Sequence, residues 1–262
     1  MSGFEFDGDK YKIASKHQKE WGNKIISELE LKLHGNESIL DLGCGDGILT
    51  EKLSQLVPDG KVIGIDASVG MLNETKKLEK ENLHFFVMDV NDMNFSNEFD
   101  LIFSNATLHW IKYHKKLLVN CYNALKSSGI IRFNFAGDGN CSNFFAVVKE
   151  VITYEDFQKY FAEFQWPWYM PTIEDYKLLA NGSNFKNIDV WDENADRYFN
   201  NADEMIRWID QPSLVPFLKQ IKDDVGGENF RDKVVRMMIK RTQKKDGRCF
   251  ETFRRINVFA RK

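Results

Sequence analysis

The sequence predicts a doubly wound α/β fold with a parallel sheet, and three observations predict it. Residues 38–42 read as a buried strand, Gly43, Gly45 and Gly47 follow at every second position, and Ile48, Leu49, Leu53 and Leu56 recur at helical spacing. Strand patterns then alternate with helical ones as far as residue 135. The strand candidates at 38–42, 61–66 and 83–88 carry an acid at or just past their ends, Asp41, Asp66 and Asp89, where an open α/β sheet has its ligand crevice.

At 262 residues the chain is long enough for one large domain with insertions, and 43% hydrophobic with 13% aromatic content describes a globular protein. No apolar run reaches membrane-spanning length and the first residues lack signal-peptide order, so the expected location is the cytoplasm, without a membrane partner. Cys44, Cys121, Cys141 and Cys249 form no C-x-x-C pair and have no histidine at metal spacing, so they read as buried small hydrophobes and no metal is expected. A net charge of -3 argues against a nucleic-acid partner.

The glycine loop decides the ligand. A dinucleotide loop needs glycine where Ile48 stands, so the spacing excludes NAD. Pyrophosphate is also disfavoured, because Asp46 already meets the positive helix end and Asp41 adds a second negative charge. A ligand carrying an ammonium and a sulfonium beside a nucleoside suits the loop, and S-adenosylmethionine is such a ligand. Asp41 to Gly47 resembles the D-x-G-x-G-x-G signature of the class I S-adenosylmethionine-dependent methyltransferases.

Along the chain, a helix over 14–34 places Trp21, Ile25, Leu29 and Leu33 on one stripe. Tyr11, Ser15, Gln18 and Trp21 are similar to the N-terminal segment of the small-molecule carboxylate methyltransferases that act on trans-aconitate and juvenile hormone acid, where that segment covers the cofactor. Pro58-Asp59-Gly60 is a turn before a strand over 61–66. Asp66 lies 19 residues past Gly47, where α/β sites place the acid that accepts from ribose hydroxyls, and Ser68 is a helix-cap candidate. The strand over 83–88 ends at Asp89-Val90, the position that in the resembled family meets adenine.

A strand over 99–104 runs into Asn105-Ala106-Thr107-Leu108-His109-Trp110, which resembles the S-N-A-x-L-H-W of trans-aconitate methyltransferases. It is not the N-P-P-Y of nitrogen-methylating relatives. A helix over 113–126, a turn at Ser127-Ser128-Gly129 and a strand over 130–135 follow. The resemblance implies a Rossmann-like, seven-stranded, mostly parallel sheet with late strands over 187–192 and 249–260, the last antiparallel. Helical cap insertions are expected over 137–180 and 193–247, with a helix starting near Thr172 and stopping at Gly182, and with 193–247 as a lid. One domain over 1–262, with a cover segment over 1–34, is the expected organisation.

The aromatic stretch Phe164, Trp166, Pro167, Trp168, Tyr169 and Met170 reads equally as substrate wall or as cap packing. Arg231 to Arg248 holds eight basic residues against two acids, the pattern of a solvated helix face. Phe253-Arg254-Arg255 resembles the start of the final strand in trans-aconitate methyltransferases, where an arginine can grip a carboxylate with both nitrogens of one edge.

The resemblance implies a cofactor site of Tyr11, Gln18, Asp41, Gly43, Cys44, Gly45, Asp46, Asp66, Ala67, Met71, Asp89, Val90 and Asn105. Gln18, His109 and Trp110 would hold the nucleophile, and Trp110, Trp168, Tyr169 and Arg255 would bind substrate. The implied activity is methyl-ester formation on a small carboxylic acid by a monomer. A carboxylate is ionised at neutral pH, so no strong base is needed and His109 would titrate near 6.5 if unperturbed. Two alternatives stay open: a carbon or hydroxyl acceptor with His109 as base, and a non-catalytic cofactor-binding module.

Overall fold

The computed structural model describes residues 16–73 and 75–262; Tyr11 and Ser15 lie outside the described residues. A helix α1 (Lys16–Glu30) precedes β1 (Ser38–Leu42), α2 (Ile48–Leu56), β2 (Lys61–Asp66), a short α3 (Val69–Leu72), β3 (Leu83–Val87) and β4 (Phe99–Asn105). Next come α4 (His114–Ala124) and the long β5 (Leu125–Ala136). The apolar runs become strands because they are buried on both faces, as β1 is from Ile39 onward. Seven strands form one sheet in the order β3-β2-β1-β4-β5-β9-β6, where β6 is Lys186–Asn194 and β9 is Arg254–Arg261. β1 to β5 run parallel and β9 runs antiparallel to β5.

Several boundaries differ from the expectation. The fifth strand starts at Leu125, five residues before the predicted Ile130, and takes up the surplus in a register shift opposite Phe99 and Leu101. Ser128, at φ 67°, sits in that irregularity and does not make a free turn. The late strand over 249–260 is two strands, β8 (Cys249–Glu251) and β9, and β8 pairs with a β7 (Arg197–Phe199) that no sequence pattern marked.

Contacts gather the chain into two compact units. Of the described residues, the first holds 16–73, 75–138, 168–193 and 255–262, and so contains the sheet. Helix α7 (Ile173–Asn181) belongs to it and is not part of a cap, because Tyr176 and Ala180 are buried in the core beside Phe135, Val190 and Ile256. Thr172 caps that helix by accepting from Asp175 N, as its sequence suggests.

The second unit holds residues 139–167 and 194–254. It contains α5 (Ser142–Val151), α6 (Glu155–Phe161), α8 (Ala202–Trp208), α9 (Val215–Leu218), α10 (Asp224–Thr242) and the β7–β8 pair. Its core is aromatic: Phe144 meets Trp208 and Phe217, Phe157 and Phe161 meet Phe230, and Trp166 meets Phe145 and Phe217. Within the basic run, Arg231 grips Asp210 with two bonds of 2.7 Å and Arg248 pairs with Asp246, while Arg236 and Lys240 stay exposed. Among the described residues no helix is long and apolar enough to cross a membrane.

Candidate functional site

The site lies at the C-terminal ends of β1, β2, β3 and β4 in the first unit. Gly43, Gly45 and Gly47 adopt φ of 71°, 56° and 77°, a region that side chains strain to enter. Gly43 has a second constraint: a Cβ there would lie 2.0 Å from Thr107 Cγ2. The loop is clamped to β2, since Gly43 N and Cys44 N donate to Ile65 O at 2.8 and 3.0 Å. Asp66 completes the clamp by accepting from Gly45 N at 3.0 Å and from Ser68 N at 2.9 Å. Asp66 therefore orders the loop as well as facing the crevice.

Asp41 is buried and accepts from Thr50 Oγ1 at 2.7 Å. Burial pushes its carboxyl up to about 7, Thr50 pulls it back, and Asp66 raises it further. Such a carboxyl sits at the edge of ionisation, and a cation beside it would favour the charged form. The Cys44 thiol is pushed well up, first by burial and then by Asp66 and Asp41, so it is inert and acts as a small wall. Asp46 differs from its expected role. It does meet the helix start, accepting from Ile48 N at 3.4 Å, but its other oxygen pairs with Lys19 Nζ at 2.7 Å and ties α1 to the loop. Asp89 accepts from Asn91 N and Nδ2 at 2.8 and 2.7 Å, next to buried Val90; Met71 is buried and Ala67 exposed.

Helix α1 crosses the end of β4. Asn105 Nδ2 donates to Gln18 O at 2.8 Å, and Gly22 lies so close that a Cβ would meet Leu49 and Asn105. Gln18 Oε1 and Asn105 Oδ1 are buried with no hydrogen-bond partner among the described residues. Buried acceptors of this kind call for a donor from a ligand. Together with the acids and the side-chain-free loop, they fit a nucleoside carrying an ammonium and a sulfonium.

After β4 the chain makes one short turn over Leu108–Trp110 that carries His109 and Trp110. His109 keeps partial exposure, yet its Nδ1 is buried without a partner among the described residues. Its pKa lies well below 6.5 because of burial first, then the positive field of Arg255, then His114. The imidazole is thus neutral at physiological pH, and the condition under which it would titrate near 6.5 does not hold. Trp110 packs against Trp168 with centroids 5.2 Å apart, and Tyr169 N donates to His109 O at 2.8 Å. The aromatic stretch is divided at Pro167: in the first unit Trp168 meets Trp110 and the Tyr169 ring lies 4.7 Å from that of His114, whereas Phe164 and Trp166 pack on Phe217 in the second unit.

Arg255 is 3% exposed, and its guanidinium lies over the Trp21 ring at 4.3 Å. The Nε and Nη2 edge, which would take a carboxylate bidentately, donates instead to Asn134 Oδ1 at 2.9 and 2.7 Å. Asn134, Thr50 and Thr107 escaped sequence reasoning. The signal for Asn134 was present as two polar residues, Arg132 and Asn134, at alternate positions of the otherwise apolar run over 130–136.

Residues 39–129 match a methyltransferase domain family model. The chain is 30% identical over 184 residues to malonyl-[acyl-carrier protein] O-methyltransferase 1 of Ilyobacter polytropus, covering 68% of this chain and 65% of that one. It is 27% identical over 199 residues to trans-aconitate 2-methyltransferase of Deinococcus radiodurans, covering 74% and 75%. Against the first of these it spans just under two thirds of the relative's length, and about half of the Acetivibrio thermocellus malonyl-[acyl-carrier protein] O-methyltransferase, 48%. Phosphoethanolamine N-methyltransferase 2 of Haemonchus contortus, solved with S-adenosyl-L-methionine, superposes with a TM-score of 0.58 at 21% identity over 92% of this chain and 52% of that one. The YcgJ protein of Bacillus subtilis superposes at 0.62 with 13% identity, over 93% and 98%. At such identities the two structures speak to the fold.

Proposed function

Because the chain belongs to the class I S-adenosylmethionine-dependent methyltransferases, we propose that it forms methyl esters on carboxylic acids. The observation that carries this reading is the buried His109 Nδ1, unpartnered among the described residues, on the same short turn as Trp110 beside the glycine-loop crevice. The relatives named for malonyl-carrier and trans-aconitate methylation support a carboxyl acceptor. The cofactor, when bound, supplies a methyl carbon made electrophilic by its sulfonium. Asp41 offers the countercharge, Asp66 and Asp89 offer acceptors to the nucleoside, and Gln18 and Asn105 offer acceptors to an ammonium.

A carboxylate with an ordinary pKa near 4 is ionised at neutral pH. The bound cofactor would supply the methyl group for the new C–O bond and keep the electron pair of its C–S bond on sulfur, so the chain has no proton to remove from such an acceptor. The chain's task is therefore orientation, which can lower a barrier by on the order of 7–11 kcal/mol. His109 Nδ1–H and the Trp110 indole N–H are the donors that would hold the carboxylate, beside the packed rings of Trp110 and Trp168. A hydroxyl acceptor is the second reading, and the same neutral imidazole favours it because an unprotonated histidine can take the proton. Four buried cysteines, none of them in a disulfide, fit a reducing compartment and a cytoplasmic site of action.

The test is methyl transfer from labelled S-adenosylmethionine to a panel of free and carrier-bound carboxylic acids, with base-labile methyl esters as the readout. Ester formation is expected. Transfer to hydroxyl or amine acceptors with none to any acid would overturn the reading.

A further inference from the structure

Three asparagines stand in register across the sheet: Asn105 on β4 faces Asn134 on β5, which faces Asn257 on β9. Two buried arginines, Arg132 and Arg255, flank the row and set its polarity. Guanidinium groups only donate. Arg255 therefore turns Asn134 Oδ1 towards itself, which leaves Asn134 Nδ2 to donate to Asn257 Oδ1 at 2.9 Å. Arg132 Nη1 donates to the same Asn257 Oδ1 at 3.0 Å, so Asn257 Nδ2 points to Glu193 Oε2 at 3.3 Å. Lys24 and Glu28 of α1 close the network, Lys24 on Glu193 at 2.6 Å and Glu28 on Arg132 at 2.9 Å. No amide in this chain can flip without setting two donors or two acceptors face to face.

We infer that Asn134 is a positioning residue that fixes the Arg255 guanidinium against Trp21. Its backbone pairs with β4 beside Asn105, its carbonyl accepting from Ala106 N at 2.8 Å, while its side chain is taken up by Arg255 and Asn257. Its influence runs through Arg255, whose two hydrogen bonds to one oxygen remove the guanidinium's freedom to swing. A buried cation so held keeps a second positive charge from forming on the imidazole. The groups that act on His109 are Arg255 on β9 and His114 on α4, with Tyr169 bonded to its backbone. His114 is itself kept neutral, at about 4, by burial. Arg255 is then the one full charge of this set. This role rests on the proposed acceptor site around His109, but the measurement that tests it does not.

The test is the titration of His109 in the full chain, read from imidazole nitrogen signals of 15N-histidine-labelled protein and assigned with a His109→Gln sample. Asn134→Asp places a carboxylate against Arg255, so the His109 midpoint is expected to rise by about one pH unit or more. Arg255→Met should raise it in the same direction, and Asn134→Leu should alter it by releasing the guanidinium. An unmoved midpoint in folded, cofactor-binding Asn134→Asp would overturn the inference. In the unsubstituted chain, the Arg255 Nε proton should exchange with solvent far more slowly than those of exposed arginines; equal exchange would overturn it without any variant. A shifted midpoint with no ester formed would leave the positioning role standing and sink the carboxyl reading alone.

Discussion

Burial holds the Asp41 carboxyl at about 7, so below that pH the ligand-free chain carries it protonated. A cationic cofactor prefers the ionised form, and binding then has to expel a proton. Affinity for S-adenosylmethionine is expected to be level above pH 8 and to weaken up to about tenfold per unit as pH falls below 7. Thr50→Val removes a donor to the carboxylate and should start the decline at higher pH; calorimetric titrations from pH 5.5 to 8.5 read both, and a pH-independent Kd would take Asp41 out of the electrostatics. His109 invites the second test at this scale. If it orients a carboxylate, His109→Gln keeps a donor and much of the activity, while His109→Phe loses far more. If it is a base, both substitutions cost about a hundredfold or more. Because its pKa lies well below 6.5, either chemistry gives a level rate from pH 6 to 9, and the two variants discriminate where the profile does not.

Among the elements, the loop between β1 and α2 has the least tolerance. Gly43→Ala asks a side chain to adopt φ of 71° and to occupy the place of the Thr107 methyl, 2.0 Å away. Loss of cofactor binding with a lower melting temperature is the expected outcome, and wild-type affinity would show that the loop can move aside. In the second unit, α5 begins without a side-chain cap of its own, and buried Glu251 of β8 accepts from Asn143 N and Phe144 N at 3.1 and 2.9 Å. Glu251→Ala leaves those donors buried and unmet, at about 1–3 kcal/mol each. Denaturant unfolding should show that loss, whereas Glu251→Gln, which retains an acceptor, should lose less.

For the whole molecule, the two units carry separate cores, one of aliphatic and aromatic side chains on the sheet and one mainly of rings. Phe217 is fully buried among Phe144, Phe161, Phe164, Trp166 and Phe230. Phe217→Ala should destabilise its unit by about 3–5 kcal/mol. Amide exchange is expected to speed up over 142–161 and 224–242 while the β1, β2 and β4 amides keep their protection. Equal loss in every strand would mean that the units unfold as one.

The order of elements, the glycine turn and the strand-end acids were legible in the sequence because they are local. A strand, a tight turn and a helix differ in periodicity within a dozen residues, and an acid at a strand end needs no distant partner to be recognised. His109 and Trp110 were legible for the same reason, as a short motif following a strand. Tertiary structure alone decided what Arg255 does, since its partner Asn134 lies 121 residues away and arrives only when β9 inserts beside β5. It also divided the aromatic run at Pro167 and joined residues 139–167 to 194–254 in a second core. Such outcomes depend on which buried surfaces meet, and on burial stripping water from Asp41 and His109, which neither composition nor spacing along the chain records.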